Sequence, residues 1–256
     1  MTVMSQPTPD FPGELVLLGD EGLRADSIPV WNRIAQRVSG SLQKLVVIPA
    51  ALTEKKIGTV DRHARLASEF LDDLGVNVHV VRILSRNDAA DKDNLRLIDE
   101  ATAYYLLGGE PRFLPQVLWD TPAWDSIQQH YAEGIPLIVS GGATVALGAT
   151  GITPRQPYPT GVSELEFDTF FGLGVLKDTV ILPYLSWLPD SIIEQIEGIC
   201  PPGSHLLGLD TQVALIRHDG KWHSEGQGSI SLFNVDGTHQ TVSAGQSIPV
   251  DWTPLL

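Results

Sequence analysis

The stretch Gly134–Gly148 reads GIPLIVSGGATVALG and says most about the fold. An apolar strand, Ile135–Val139, runs into small residues and then into the start of a helix. This succession is typical of a nucleophile elbow, a tight strand-to-helix turn that presents a serine or cysteine. If Ser140 is the nucleophile, Gly142 is suitably small on one side of it, but Ile138 on the other side is not. Alternatively, Ser140 caps the N-terminus of the helix, a role that serine favours.

Strands and helices alternate along the chain on the N-terminal side of this turn. Several strands are apolar on both faces, which is typical of a parallel sheet covered by helices on each side. The sequence therefore predicts an α/β fold with a doubly wound, mostly parallel sheet. The predicted strands are Glu14–Leu18, Lys44–Ile48, Asn77–Ile83, Ala103–Leu107 and Ile135–Val139, and the predicted helices are Ser27–Val38, Asp61–Leu74, Asp93–Glu100, Phe113–Leu118 and Trp124–Glu133.

The pattern changes after about residue 160, where strand signals follow one another with turns between them. We expect these C-terminal strands to be added to the same sheet, because no linker or charge run separates the two halves. The prediction is a single domain over residues 13–256, preceded by a flexible tail over residues 1–12. The additional strands are Thr179–Leu182, Gln212–Arg217, Ser229–Asn234 and Thr241–Val242.

The composition excludes several classes of function. Lys and Arg number 17 against 31 Asp and Glu, which gives a net charge of −14 and disfavours nucleic-acid and anionic-membrane partners. The single cysteine, Cys200, excludes an internal disulfide framework. No signal peptide or long apolar span is found, so we expect a cytoplasmic protein. The histidines show no metal-ligand spacing, and no phosphate-binding loop is present, so neither a metal nor another cofactor is expected.

Small residues follow several of the predicted strands at their carboxyl ends, where ligands bind in such folds. They are either ordinary loop residues or a floor on which backbone N–H groups approach a substrate, and the pattern alone favours neither interpretation. These strand ends read Gly19-Asp20-Glu21, Pro49-Ala50-Ala51, Gly108-Gly109-Glu110 and Ser140-Gly141-Gly142.

Four of these segments, taken in order, resemble the cyanophycinase and dipeptidase E family of serine peptidases. They are LVLLG at Leu15–Gly19, IPAA at Ile48–Ala51, GGEP at Gly108–Pro111 and GLDTQVA at Gly208–Ala214. The resemblance runs from about residue 14 to about residue 250. It implies the class I glutamine amidotransferase-like fold, which is a flavodoxin-like arrangement.

The same resemblance implies that the nucleophile is missing. The family's segment reads roughly G-V-P-I-I-G-T-S-A-G-A-x-x-L-G, and a gapless match to Gly134–Gly148 places its serine at Gly141. Ser140 then falls one residue early. A shift of one residue would restore Ser140 as the nucleophile but would lose the flanking matches.

The family's histidine is also replaced. It follows a G-L-G turn, here Gly172–Gly174, and the corresponding segment LPYL places Tyr184 at its position. A phenol, with an ordinary pKa near 10, is a weak base at neutral pH. Glu110-Pro111 further departs from the family's substrate-contact motif. The three departures together indicate a catalytically degenerate member of the family.

One part of the family's site needs only backbone atoms. The resemblance implies that the N–H groups of Gly109 and Gly142 could still form an oxyanion-hole-like pocket, which would bind a carboxylate or carbonyl without chemistry. A glycine turn kept for tight packing is the alternative. The ligand would be a small peptide or another small molecule, and a homo-oligomer is compatible with the sequence.

Other residues are weaker candidates for the site. His205 is the histidine we expect nearest to it, as a substitute base, and Glu164, Glu166 and Asp210 are acids in the same half of the chain. Two hypotheses follow. The chain is a non-catalytic member that keeps the fold for binding or assembly, or it is a serine hydrolase with a shifted elbow that uses Ser140 and a rearranged base.

Overall fold

The computed structural model describes residues 13–37, 41–52, 57–155 and 165–248, so the predicted tail over residues 1–12 lies outside the described residues. The strands are β1 Leu15–Leu18, β2 Leu45–Ile48, β3 Val78–Val80, β4 Ala103–Leu106, β5 Leu137–Ser140, β6 Thr150–Pro154, β7 Phe167–Phe171, β8 Thr179–Leu182, β9 His205–Leu209, β10 Val213–His218, β11 Lys221–Gly226, β12 Ser229–Phe233, β13 His239–Ser243 and β14 Ser247–Ile248. The helices are α1 Ile28–Arg37, α2 Ile57–Asp73, α3 Lys92–Asp99, α4 Phe113–Leu118, α5 Pro122–Ala132, α6 Gly142–Val145 and α7 Asp190–Ile199.

The main sheet has eight strands in the order β14-β11-β10-β1-β5-β4-β2-β3. The five neighbouring strands β1, β5, β4, β2 and β3 are parallel to one another. On its other edge, β1 pairs antiparallel with β10. Alternate residues of β1 enter different apolar clusters: Leu15 and Leu17 pack with α5, while Val16 and Leu18 pack with α1 and α2. Because successive side chains of a strand point to opposite faces, the sheet is covered on both sides, and the predicted doubly wound fold is confirmed.

The C-terminal strands divide between two sheets, which corrects the expectation that all of them extend the first. Strands β10, β11 and β14 do extend the main sheet, whereas β8, β9, β12 and β13 form a separate four-stranded sheet in the order β13-β12-β9-β8. The second sheet buries Leu207 and Ile230 in the cluster that holds Leu15 and Leu17. Stacking the sheets removes apolar surface from water on both, which edge-on addition would not do.

A hairpin and a helix that the sequence analysis did not assign complete the fold around the candidate site. Strands β6 and β7 pair antiparallel from Thr150 with Phe171 to Pro154 with Phe167. Helix α7 buries Ile192 and Ile196 in a third apolar cluster, which also contains apolar residues of β6 and β8. Among the described residues, no helix has the length and apolar character needed to cross a bilayer.

Candidate functional site

The turn after β5 has the geometry of an elbow, with Gly141 at its apex. Strand β5 ends at Ser140 and α6 begins at Gly142, so a single residue connects strand and helix. Gly141 has φ 50° and ψ −130°, a conformation that L side chains rarely adopt. The gapless alignment thus places the family's serine at the strained residue of the turn, the residue that presents the nucleophile in an elbow.

Ser140 lies inside the sheet and not on the turn. Its side chain has no exposure to solvent, and its Oγ accepts a hydrogen bond from the Gly108 N–H at 3.1 Å. The Tyr105 hydroxyl oxygen lies 2.9 Å from Ser140 Oγ and 2.8 Å from the Glu21 carbonyl oxygen. Because the carbonyl only accepts, the single phenolic proton goes to Glu21 and the Ser140 hydroxyl donates to Tyr105. The Ser140 hydroxyl is therefore fully engaged within the core.

Tyr184 reaches the elbow from the end of β8. An ideal Cβ placed on Gly141 would lie 2.5 Å from the Tyr184 hydroxyl oxygen and 3.1 Å from Glu21 Oε1. The Tyr184 hydroxyl donates a short hydrogen bond to the Glu21 carboxylate. Tyr184 itself has φ 57° and ψ 30°, the left-handed conformation, which turns the chain sharply after the strand. The structure thus brings the two predicted catalytic positions together, with the phenol occupying the space of the missing side chain.

The electrostatics of the elbow oppose a basic role for Tyr184. Burial, and after it the negative charge of Glu21, raises the pKa of Tyr184 well above its ordinary value. Asp20, which is 4% exposed, adds a second carboxyl group to the same loop, and burial raises its pKa despite the neighbouring Arg24. A phenol in these surroundings stays protonated at neutral pH and serves as a hydrogen-bond donor.

Two glycines bring their backbones close together beside the elbow. An ideal Cβ on Gly142 would lie 2.0 Å from the Gly109 carbonyl oxygen, and one on Gly109 would lie 2.5 Å from the Ala51 carbonyl oxygen. Neither the Gly109 N–H nor the Gly142 N–H donates to another group within the described residues. The two glycines therefore combine tight packing with free N–H donors. The two interpretations from the sequence, a glycine turn kept for packing and an oxyanion-hole-like pocket, are compatible with each other.

A mostly apolar cavity of about 320 Å³ opens from this pair of glycines. Tyr184 forms part of its wall, and the Trp187 ring stacks on the Tyr184 ring with centroids 5.1 Å apart. The cavity extends into the third apolar cluster between the β6–β7 hairpin and α7. Its apolar lining includes Val145, Ile152, Leu182, Leu188, Ile192 and Ile196.

Charged side chains beside the cavity pair with one another. Arg112 forms ion pairs with Glu110 and with Asp168 on β7, both at 2.9 Å. Asp168 also pairs with Arg155, which holds Glu166 at 2.9 Å. Glu110, which departs from the family's substrate-contact motif, thus contacts Arg112.

The remaining candidates lie elsewhere or serve the fold. His205 begins β9 beside Thr179 at the start of β8, whereas Tyr184 follows the end of β8, so His205 lies at the opposite end of that sheet. Its ring faces Asn234. All seven histidines are among the described residues, and none lines the cavity. Asp210 accepts hydrogen bonds from Ser229, and Glu164 lies outside the described residues.

Cys200 is partly buried at the C-terminal end of α7. Burial raises the pKa of its thiol to about 11, which leaves little reactive thiolate at neutral pH. Within the described ranges, no three His, Cys, Asp or Glu side chains are grouped closely enough to hold a metal ion.

The family model for peptidase family S51 matches residues 15–224, a range that holds both the elbow and Tyr184. This chain belongs to peptidase family S51. Among its relatives are cyanophycinases of Synechococcus elongatus and Thermosynechococcus vestitus, each 26% identical over 211 residues. The match covers 79% of this chain and 62% of either relative, so the chain spans less than two thirds of their length. The predicted relation to the cyanophycinase and dipeptidase E family is confirmed.

Two solved peptidase structures share the fold. A peptidase from an acI-B1 Actinobacterium superposes with a TM-score of 0.77 at 21% identity, covering 93% of this chain and 96% of that one. A putative peptidase E protein from Listeria monocytogenes EGD-e gives a TM-score of 0.60 at 16% identity, with 84% and 98% covered. At these identities the likeness concerns the fold, which agrees with the predicted flavodoxin-like and amidotransferase-like architecture.

Two residues at this site, Glu21 and Tyr105, are not predicted by the sequence patterns. Glu21 lies in the loop after β1, and its position at the carboxyl end of a strand is the one signal that points to it. Tyr105 lies within an apolar run typical of a buried strand. Its hydroxyl connects Ser140 to Glu21 across neighbouring strands, a contact between residues that no sequence spacing relates.

Proposed function

We propose that this member of peptidase family S51 lacks peptidase activity and binds a small peptide or another small molecule at the former catalytic site. The observation that carries the proposal is the occupation of the elbow. Gly141 supplies no nucleophile, and the Tyr184 hydroxyl fills the space beside it while held by Glu21. Without a nucleophile no acyl-enzyme forms, and without a base a serine would stay inactive.

The geometry of Ser140 disfavours the alternative of a hydrolase with a shifted elbow. A nucleophile must reach a carbonyl carbon, but Ser140 is completely buried and its hydroxyl is bonded on both sides. The nearest phenols have raised pKa values and cannot take its proton at neutral pH. Use of Ser140 would require the end of β5 to leave the sheet.

Binding needs less than catalysis does. The Gly109 and Gly142 N–H groups supply two fixed donors, and the adjoining cavity supplies apolar contact area. A carbonyl oxygen between the donors would replace their hydration without further rearrangement. A cytoplasmic location, the absence of nucleic-acid partners and self-association remain predictions from the sequence.

The test combines turnover with labelling. The purified chain is incubated with cyanophycin and with acidic dipeptides, with a cyanophycinase as positive control, and products are measured by mass spectrometry. A fluorophosphonate probe is applied in parallel to the folded chain. We expect no product above the blank and no labelled serine. Turnover that disappears in a Ser140→Ala variant, or a fluorophosphonate adduct on Ser140, would overturn the proposal.

A further inference from the structure

We infer that the ligand of this site is a neutral amide or peptide carbonyl compound with one uncharged, apolar side chain. The inference rests on the proposed function, since it names the class of molecule bound where catalysis is absent. It follows from three features of the site: the lining of the cavity, the charges around the two glycines, and the size of the space.

The described lining of the cavity offers no charged partner to a ligand side chain. Among the described lining residues only Thr153, Tyr184 and Trp187 carry polar side-chain atoms, and none is charged. Tyr184 already donates its proton to Glu21. A carboxylate or guanidinium placed among Leu182, Ile192 and Ile196 would lose its hydration without gaining a partner, which is strongly unfavourable. An aliphatic or aromatic group would gain by the same transfer.

The charged residues beside Gly109 and Pro111 do not change this preference for an apolar ligand. Arg112 is the cation nearest in sequence to Gly109 and Pro111, and it pairs with both Glu110 and Asp168. Its charge is thus balanced within the protein. An acidic ligand group would have to displace one of these carboxylates, and a basic group would meet an acid that is already paired.

The two free N–H groups favour a neutral carbonyl over a carboxylate. Asp20 and Glu21 lie in the loop after β1, and Glu21 Oε1 lies 3.1 Å from the position of an ideal Gly141 Cβ. Burial raises the pKa of Asp20 despite the opposing charge of Arg24, and the negative charge of Glu21 raises it further. A ligand carboxylate would meet the same repulsion, whereas an amide oxygen would accept the two hydrogen bonds without a net negative charge.

The size of the cavity limits the ligand to about one residue. Pockets for small molecules span roughly 300–1,000 Å³, and this cavity of about 320 Å³ lies at the lower limit. One apolar side chain with its carbonyl fills such a space, and a longer peptide would extend into solvent past Trp187, which is 62% exposed.

The inference is tested by titrating ¹⁵N-labelled protein with five probes. They are N-acetyl-leucinamide, N-acetyl-phenylalaninamide, N-acetyl-argininamide, the α-amide of N-acetyl-aspartic acid, and N-acetyl-leucine with its free carboxylate. The signals of Gly109 and Gly142 report the site, and the signal of Gly75 beyond α2 serves as a remote control. We expect the leucine or phenylalanine amide to bind at least about tenfold more tightly than the three charged probes.

Two variants test whether the amide probe binds in the cavity. Leu188→Asp puts a charge in the cavity wall and should weaken the leucinamide about tenfold or more, whereas Ile199→Asp on the exposed side of α7 should leave its affinity unchanged. If thermal unfolding shows that Leu188→Asp is not folded, Leu188→Ala against Ile199→Ala replaces the pair.

The outcomes separate the two proposals. Equal or tighter binding of the arginine or aspartate probe would overturn the inference and leave the loss of peptidase activity intact. Failure of every probe to shift Gly109 and Gly142 would also overturn the inference. Hydrolysis of cyanophycin or of acidic dipeptides would instead overturn the proposed function.

Discussion

The Tyr184 hydroxyl occupies the place into which a side chain at Gly141 would project. The two residues are 43 positions apart in the sequence, yet an ideal Cβ on Gly141 would lie 2.5 Å from the Tyr184 hydroxyl oxygen. The conformation of each residue therefore depends on the side chain of the other. Gly141 leaves room for the phenol, and the phenol fills a gap that would otherwise adjoin the Glu21 carboxylate.

The Gly141→Ser variant should be destabilised, and Tyr184→Phe should partly rescue it. The positive φ costs about 1–2 kcal/mol, and the collision with the phenol adds to that. Removing the hydroxyl relieves the collision, so a double-mutant cycle should give a coupling energy of about 0.5–3 kcal/mol. Unfolding in urea measures each free energy.

Gly174→Ser is the matched control for this cycle. Gly174 has φ 69° but nothing within 4 Å of an added Cβ, so its substitution carries the backbone cost without a collision. Its destabilisation should be the same with Tyr184 or Phe at position 184. Strict additivity in the Gly141 cycle would contradict the assigned packing.

The Gly142→Ala variant should be destabilised by about 1–3 kcal/mol, because its Cβ would lie 2.0 Å from the Gly109 carbonyl oxygen and the two loops would have to separate. The control, Gly198→Ala on α7, has open space around it and should gain up to about 1 kcal/mol from helix propensity. Urea unfolding compares the two. A neutral Gly142→Ala would mean that the glycines are not in close contact.

The Ser140→Ala variant should lose about 1–3 kcal/mol of stability. The change leaves the buried Gly108 N–H without its acceptor and removes the donor to Tyr105, whose hydroxyl keeps only its bond to the Glu21 carbonyl. The same substitution at the exposed Ser186 should stay within about 0.5 kcal/mol of the parent. A Ser140→Ala variant as stable as the parent would show that the hydroxyl contributes nothing to the core.

Stability should fall as the pH rises above about 10. Burial raises the pKa of Tyr131 to about 12 and those of Tyr104, Tyr105 and Tyr184 further, whereas phenols of the unfolded chain ionise near 10. Above that pH the unfolded state binds fewer protons than the folded state, so the free energy of unfolding decreases as the pH rises. The contribution of these four phenols to the stability is therefore fully present below pH 10.

This dependence is checked by recording phenolate absorbance and circular dichroism together as the pH rises. The Tyr158→Phe background removes the fifth tyrosine, so that the absorbance reports only these four phenols. Their ionisation should coincide with loss of the fold, and Tyr131→Phe should move the alkaline midpoint upward. Phenolate from all four phenols in a protein that is still folded would contradict the assigned burial.

The central sheet was predictable because its strands are apolar on both faces. The runs LVLL, LVVI and AYYL became β1, β2 and β4 within one residue of the predicted bounds. The division of the C-terminal strands was not predictable, because β9 and β12 show the same patterns whether they extend a sheet or stack on one. Their partners are decided by apolar contacts with Leu15 and Leu17, which lie far away in the sequence.

The site was predictable only in part. The resemblance aligned Gly141 and Tyr184 with the two catalytic positions, and the structure brings them into contact. The contact with Glu21 and the burial of Ser140 depend on how β1, β4 and β5 are ordered in the sheet, and the local sequence does not contain that order. Spacing alone made Ser140 a plausible nucleophile because it cannot reveal which side of the turn is solvent.

The phenol at position 184 has a consequence for building a serine–histidine pair at this turn by substitution. A serine introduced at 141 alone would collide with the Tyr184 hydroxyl, and a histidine introduced at 184 alone would have no hydroxyl at 141 to activate. Either single substitution leaves the pair incomplete, so only the two together could assemble it.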